Sequence, residues 1–527
     1  MTNYEGDLDS NELKESWSAA TLSTSAPAIV AKEVQVTSEW RCAVATFEEK
    51  KDNTQLTDVE KGSSERSSSP GIPGIATAEE LHRHEEVFPL PGELGFSLYQ
   101  KLRWSIFSMY RKLFSIVTLV NLIAIVIFLI QLRHDNNIAT YNNAATAAAA
   151  NFCVAILIRN EHVVNLLFRM TCSVPIWFPL VVRRYAAKVY SYGGVHSGCG
   201  IAGSVWYLIF GVLVISQFDG GRSDETALAA TTALTLALLV LIVIFAHPYM
   251  RMRLHDHFES THRFGGWAAI LCLWVQTMFL VSARASEVKQ NFGSVLVRTA
   301  GFWFLVIITL CLIYPWTRLR SRKMRVEVLS SHAARLHFDY TTLSSCHGIR
   351  ITDSPLKETH AFATIPNYAK NPGFSVLVSN AGDWTNKIIS NPPSRIFVKG
   401  APILGVARVA LLFRKVLIVA TGSGIGPCLS LLQAYPDYPL RVVWSAQRPQ
   451  ATYGDDIIRA VYRADPSAVI VDTKRTGRGN LLGLAYSLLK ESDCEAAVVI
   501  SNPAVTRNVV YGLESRGIPA YGPIFDS

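Results

Sequence analysis

The sequence predicts a multi-pass α-helical membrane domain of about six helices, followed by a small β-barrel and an α/β domain with a parallel sheet. Three observations carry that expectation. Only 17% of the 527 residues are charged, where soluble chains run near ~25%. Apolar runs of bilayer-spanning length are confined to residues 100–316. After residue 411, short apolar runs alternate with helix-like segments, the pattern of parallel strands joined by crossover helices.

Residues 1–93 are rich in Ser, Thr, Glu and Lys and include Gly62-Ser-Ser-Glu-Arg-Ser-Ser-Ser-Pro-Gly71. Too little apolar surface is present to offset ordering entropy, so this stretch reads as a disordered cytoplasmic tail. No apolar run follows Met1, so no cleavable signal peptide is expected.

Residues 94–325 form the expected membrane domain. A spanning helix takes ~20 apolar residues, and six stretches qualify: 114–132, 139–158, 199–217, 227–247, 266–282 and 298–316. A further stretch, 163–182, carries Arg169, Pro175 and Pro179 and reads as a membrane-surface or re-entrant piece. Most Lys and Arg flanking the spans, among them Arg159, Arg183, Arg184, Lys188 and Arg263, fall on one side. Cytoplasmic flanks concentrate such residues, so both termini are expected in the cytoplasm, with the plasma membrane the preferred location. The net charge of +9 then belongs to topology and contact with the lipid bilayer, and nucleic acid is not expected as a partner. The nine cysteines form no C-x-x-C pair, so they read as reduced, small apolar residues.

Residues 326–410 carry short β-rich runs. Residues 411–527 carry the strands KVLIVA (415–420), RVVWSA (441–446), AVIVDT (468–473) and AAVVIS (496–501). The turn Thr421-Gly-Ser-Gly-Ile-Gly-Pro427 follows the first of these and opens a helix. Glycines there allow backbone N–H groups to approach a pyrophosphate, and the helix N-terminus favours its charge. Gly422, Gly424 and Gly426 are therefore the candidate nucleotide-binding residues. The second strand ends Trp444-Ser-Ala-Gln-Arg448, with no acid for a ribose hydroxyl. Ser445 and Arg448 suit a 2′-phosphate better, so NADPH is preferred over NADH as the form of NAD(P)H.

Upstream, His360-Ala-Phe-Ala-Thr-Ile365, Gly382-Asp-Trp-Thr385 and Lys399-Gly-Ala-Pro-Ile-Leu-Gly405 occur in that order. The first resembles the H-P-F-[ST] flavin segment of the ferric reductase and NADPH oxidase superfamily, and the last resembles its G-P-Y-G phosphate segment. Segments 159–162 and 258–267, the GDWT segment and the C-terminal GIPAYGPIFDS are similar to the fungal TmpA family of integral-membrane flavoproteins. The resemblance implies FAD held by His360, Phe362, Thr364, Trp384, Gly400 and Gly405, with Tyr521 or Phe525 as a terminal aromatic on the flavin. It implies haem b with paired His ligands. His196 and His262 stand level near the inner face, but Ile209 and Val275, thirteen residues on, cannot ligate iron, so one haem at most is expected.

The expected activity is that of a membrane-bound oxidoreductase passing electrons from NAD(P)H through FAD to an unidentified electron acceptor at the membrane. The alternatives are a haem-containing ferric reductase or oxidase, and a non-catalytic redox-sensing membrane protein acting in fungal development.

Overall fold

A computed structural model describes residues 74–100, 102–103, 107–134, 140–218, 223–367 and 373–524. Long apolar helices occupy each of the six stretches expected from the sequence. They are α2 (Met109–Arg133), α3 (Tyr141–Leu157), α6 (Gly193–Ser216), α7 (Ser223–Ala246), α8 (Gly266–Glu287) and α9 (Ala300–Thr317). Among the described residues, five helical segments are long and apolar enough to cross a membrane by length and composition. A sixth counts only if α3 and α4 (Glu161–Cys172), bent by 68° at their junction, are one span.

Small residues set the closest helix contacts. A Cβ on Gly194 would fall against the carbonyl oxygen of Tyr110, and one on Gly198 would meet Val117 at 3.0 Å. The Gly194–Gly198 spacing thus lets α6 approach α2 nearly backbone to backbone. The ring of Phe152 on α3 likewise fills the space beside Gly203.

After α9 the chain enters a seven-stranded antiparallel sheet of order β1-β7-β4-β5-β6-β3-β2. Its strands are β1 (Arg320–Lys323), β2 (Arg325–Val328), β3 (Ala333–Phe338), β4 (His347–Thr352), β5 (His360–Asn367), β6 (Gly373–Ser379) and β7 (Arg395–Leu404). Leu336, Phe338, Ile349, Ile351, Phe374, Val376 and Val378 fill its core. Their every-other-residue spacing is the pleat of a sheet buried on one face.

The last part is a five-stranded parallel sheet of order β10-β9-β8-β11-β12. Its strands are β8 (Val416–Thr421), β9 (Leu440–Ala446), β10 (Val469–Asp472), β11 (Ala496–Ile500) and β12 (Ala520–Tyr521). Helices include α11 (Ile425–Ala434), α12 (Asp455–Ala464), α13 (Leu481–Glu491) and α14 (Pro503–Glu514). Both faces of the sheet are covered. Along β8, Val416, Ile418 and Ala420 join one apolar cluster while Leu417 and Val419 join the other. Double coverage explains the unbroken apolar runs of the central strands.

The described end of the expected tail, residues 74–93, differs from the sequence reading. Ala76 N donates to the Ile470 carbonyl at 2.9 Å, and Ala76 bridges Val471 in parallel along β10. The following helix, α1 (Ala78–Val87), opens with a capping box between Thr77 and Glu80. Leu81 packs on the core beside α13, His84 Nδ1 lies 3.1 Å from Glu491, and Ser487 bonds the His84 carbonyl. Residues 1–73 lie outside the described residues.

The residues just after the expected surface piece (163–182) anchor the α/β domain. On α5 (Leu180–Ala186), Arg183 pairs with Glu495, and Arg184 donates to the Gly517 carbonyl at 2.8 Å. Lys188 pairs with Glu514 and sits 4.9 Å from the Tyr521 ring centroid. These three basic residues, counted in the sequence among those facing lipid headgroups, hold the α/β domain.

Candidate functional site

The chain crosses from β8 to β9 and on to β10 on one side, then returns from β10 to β11 on the other side of β8, so the direction of the strand order reverses between β8 and β11. The crevice at the carboxyl ends of such diverging strands is where open α/β sheets bind ligands. Here it is bounded by the turn after β8, the end of β9 and Ser501-Asn502 after β11.

The turn is held from beneath. Trp444, fully buried on β9, donates from Nε1 to the Gly422 carbonyl at 2.9 Å, and its ring packs on Tyr453 at 5.4 Å. Gly422 takes φ +53°, a region open to glycine at little steric cost. Ser423 Oγ meets Ser379 Oγ at 2.7 Å, tying the turn to the end of β6. The hydroxyls of Thr421 and Ser501 bond each other across the crevice. Asn502 caps α14 by accepting from Val505 N at 3.0 Å.

The three glycines differ in why they are needed. A Cβ on Gly424 would collide with the Ile500 carbonyl, and one on Gly426 would press on Leu377 at 3.1 Å. Both are required by packing inside the chain, whatever binds above. Only the Gly422 requirement is conformational.

Ser445 is half-buried and Arg448 exposed at the end of β9. Arg448 has a left-handed backbone, φ +43°, which is uncommon and strained for a side-chain-bearing residue. Its N–H donates to Asp472 Oδ1 at 2.9 Å, and Lys474 N donates to the same oxygen at 2.9 Å. The buried Asp472 therefore fixes the loops carrying Arg448 and Lys474. Sequence reasoning missed Trp444, Asp472 and the Ser379–Ser423 contact. An acid ending the β10 run was the visible signal for Asp472.

The flavin residues expected on the antiparallel sheet are brought only partly together. His360 and Trp384 stack at 4.1 Å, and Phe362 lies 6.0 Å from Trp384. Thr364 is fully buried and donates to the His347 carbonyl at 3.0 Å. The Glu161–Arg350 ion pair covers Gly400. Gly405 N donates to the Cys346 carbonyl at 2.8 Å. The GDWT segment starts helix α10 (Asp383–Ser390): Thr385 Oγ1 accepts from Ala381 N and Gly382 N at 2.9 and 3.0 Å. Tyr521 is buried against Phe413 at 5.4 Å, which accounts for it as core. Phe525 lies outside the described residues.

His196 and His262 do meet, with ring centroids 6.0 Å apart. His196 Nδ1 bonds the Ala155 carbonyl at 2.8 Å. Among the described residues no group of three or more metal-binding side chains occurs. Haem b finds no support in the relatives described next, and none is assigned to this pair.

A family model described as the C-terminal domain of adenylate-forming reductase 03009 matches residues 406–527. Adenylate-forming reductase 03009 of Coprinopsis cinerea is 43% identical over 430 residues, covering 82% of this chain and 41% of that protein. Adenylate-forming reductase 06235 of the same organism is 41% identical over 439 residues, covering 83% and 42%. The chain thus spans about two fifths of the length of the curated relatives it matches. Among solved structures, the ferredoxin reductase in carbazole 1,9a-dioxygenase gives a TM-score of 0.32 at 15% identity, over 39% of this chain and 70% of that one. A ferredoxin NADP+ reductase from Neisseria gonorrhoeae with bound FAD and NADP gives 0.32 at 12%, over 39% and 99%. The antiparallel and parallel sheets stand on the topology described above.

These findings overturn the family and function expected from the sequence. The matches name adenylate-forming reductases, not the TmpA or ferric reductase families. Electron transfer through FAD to a membrane acceptor falls with that resemblance, as do the haem-containing exporter and the non-catalytic sensor. The motifs behind it are largely engaged in internal contacts: Thr364 with a strand carbonyl and Thr385 with a helix start. An oxidoreductase is the class that the relatives support.

Proposed function

We propose that this chain is the reducing part of an enzyme of the adenylate-forming reductase kind, with NADPH bound in the crevice between β8 and β11. The observation that carries the reading is the buttressed turn Gly422–Gly426 at that crevice, in a chain 43% identical to such a reductase. Backbone N–H groups of the turn and the N-terminus of α11 face the pyrophosphate. Ser445 and Arg448 take the 2′-phosphate, Arg448 being held at the crevice rim by Asp472.

Bound there, the dinucleotide supplies a hydride. An adenylate is a carboxyl group activated as a mixed anhydride. Its two-electron reduction forms a C–H bond at the acyl carbon from the hydride, breaks the bond to the activating group, and leaves an aldehyde, NADP+ and the activating group as its anion. The adenylating step is not assigned to this chain. The Thr421–Ser501 hydroxyl pair and Asn502 line the crevice wall and orient what enters it. We further propose that helices α2, α3 and α6–α9, with the bent α3–α4 pair as the sixth span, sit in a bilayer with both termini on the cytoplasmic side.

The test is titration of the full chain in detergent with NADPH and NADH, for wild type and Arg448→Ala. NADPH should bind more tightly, and Arg448→Ala should remove the preference, roughly a tenfold loss for one charged hydrogen-bonding partner. Absence of binding by either dinucleotide, or an unchanged preference, overturns the reading. The visible absorption spectrum of the same sample reports whether FAD accompanies the nucleotide.

A further inference from the structure

The helical bundle contains a cavity that the proposed reduction does not use. It measures about 220 Å³ and lies among α3, α6, α8 and α9. Asn142 at the start of α3, Arg284 near the end of α8 and Thr299 just before α9 line one part of it. Tyr207 and Gln276, in the bodies of α6 and α8, line the other. The chain leaves the far end of α9 for β1, so the rim at Asn142, Arg284 and Thr299 is at the end of the bundle remote from both sheets. From Arg284 back to Gln276 the cavity follows α8 for roughly 12 Å, at the helical rise of about 1.5 Å per residue.

The two ends differ in chemistry from the walls between them, which are apolar at Phe210, Leu280, Val281 and Leu305. At the inner end Tyr207 is 1% exposed and Gln276 2%. The Tyr207 hydroxyl lies 2.9 Å from Gln276 Oε1 and accepts from Gln276 Nε2 at 2.8 Å, and the same Nε2 reaches Thr235 Oγ1 at 3.5 Å. These polar groups satisfy one another and close the floor. The rim does not close on itself in this way. Arg284 is half exposed, and its Nη1 donates to Glu287 Oε2 at 2.7 Å. Its other nitrogens have no acceptor among the described residues. Asn142 accepts from Thr146 Oγ1 through its backbone carbonyl, and its side-chain amide has no partner among the described residues. No acid is among the described residues lining the cavity. An apolar well with a few unspent donors and one cation at its mouth is the form of a site for an amphipathic ligand.

We propose that this cavity binds a medium-chain monocarboxylic acid, with the carboxylate at the Arg284 rim and the chain in the apolar well. A guanidinium presents five donors in a planar fork that matches a carboxylate, and the bond to Glu287 occupies only one nitrogen. The Asn142 amide adds a neutral donor at the same rim. A cavity of ~150 Å³ holds benzene, so one of this volume takes a chain of roughly eight carbons. A neutral lipid tail fills the same well without using the rim. The cavity belongs to the helices and not to the parallel sheet, so it does not depend on the dinucleotide assignment.

The experiment uses the full chain in phosphatidylcholine nanodiscs, with radiolabelled octanoate and octanol as probes and empty discs to subtract partition into lipid. Octanoate should bind saturably. Arg284→Gln, at an exposed position that folding tolerates, should weaken octanoate about tenfold and leave octanol unchanged, as loss of one charge-assisted contact requires. Glu287→Gln releases the guanidinium and should tighten octanoate. Ala145→Leu narrows the well and should weaken both probes, with circular dichroism to show that the helices persist. Three results overturn the proposal: no saturable octanoate binding; octanoate and octanol binding alike and both indifferent to Arg284→Gln, which marks the well as a lipid-filled gap; or octanoate binding untouched by Ala145→Leu in a folded chain, which puts the acid elsewhere.

Discussion

The guanidinium of Arg183 meets both carboxylate oxygens of Glu495, Nη1 to Oε2 at 2.6 Å and Nη2 to Oε1 at 3.2 Å. Arg183 also donates to the Leu412 carbonyl at 3.0 Å, and its side chain is 3% exposed. Removing one partner of a pair this buried strands the other, a loss of about 3 kcal/mol. Arg183→Met and Glu495→Gln should each lower the unfolding temperature of the purified chain and quicken protease cleavage between the helices and the α/β domain. The double variant Arg183→Met/Glu495→Leu should recover part of the loss. Independent, additive effects would show that the pair does not hold the junction.

The same contact sets a pH limit. Burial would raise Glu495, but hydrogen bonds from Arg183 and from Arg414 N outweigh it and hold the carboxyl below its usual range. A carboxyl depressed in the folded chain adds stability above its unfolded pKa and loses it as pH falls through the folded value. The wild-type junction should therefore loosen on acidification below the ordinary carboxylate range. The Glu495→Gln variant should show a smaller slope of unfolding temperature against pH.

Lys399 titrates in the opposite sense. With its ammonium pulled down to about 8, the folded chain holds the charge at a cost below that pH, in the presence of Arg263, Arg350 and Glu161. Between about 8 and the unfolded value the folded chain has shed a proton that the unfolded chain retains, so stability rises with pH. Thermal unfolding at several pH values checks this, and Lys399→Met should flatten the curve over that window.

Trp444→Phe should separate support of the turn from packing. The phenyl ring keeps most of the buried contact but drops the bond to the Gly422 carbonyl, a loss of about 1 kcal/mol in stability. NADPH affinity should drop several-fold as the turn loosens. Unchanged affinity in a folded variant would mean that the turn does not bind the dinucleotide.

Gly424→Ala is expected to lower thermal stability without any nucleotide present, since the added methyl group meets the Ile500 carbonyl. This makes glycine substitution a poor probe of binding and explains why Arg448 is the better one.

The sequence makes the helices legible because polar flanks bracket long apolar runs, so α2 and α9 begin and end within a few residues of the expected stretches. The β8 turn was legible because its glycines follow an apolar strand directly. Asn165 and Glu161 were not, since their partners Pro402, Leu404 and Arg350 lie far along the chain and no local pattern announces such pairings. His360, Thr364 and Trp384 follow one another in the order of a flavin frame, a pattern carried by chain order alone; in the fold Thr364 also bonds a strand carbonyl and Thr385 a helix start.

Ala76, bridged to Val471, lies along the outer rim of β10, and Leu81 seals the seam behind it. A shortened protein starting at Phe96 would leave that rim's N–H and C=O groups open to another molecule's strand. Such a fragment should self-associate on storage, and adding the missing peptide in trans should dissolve the clumps.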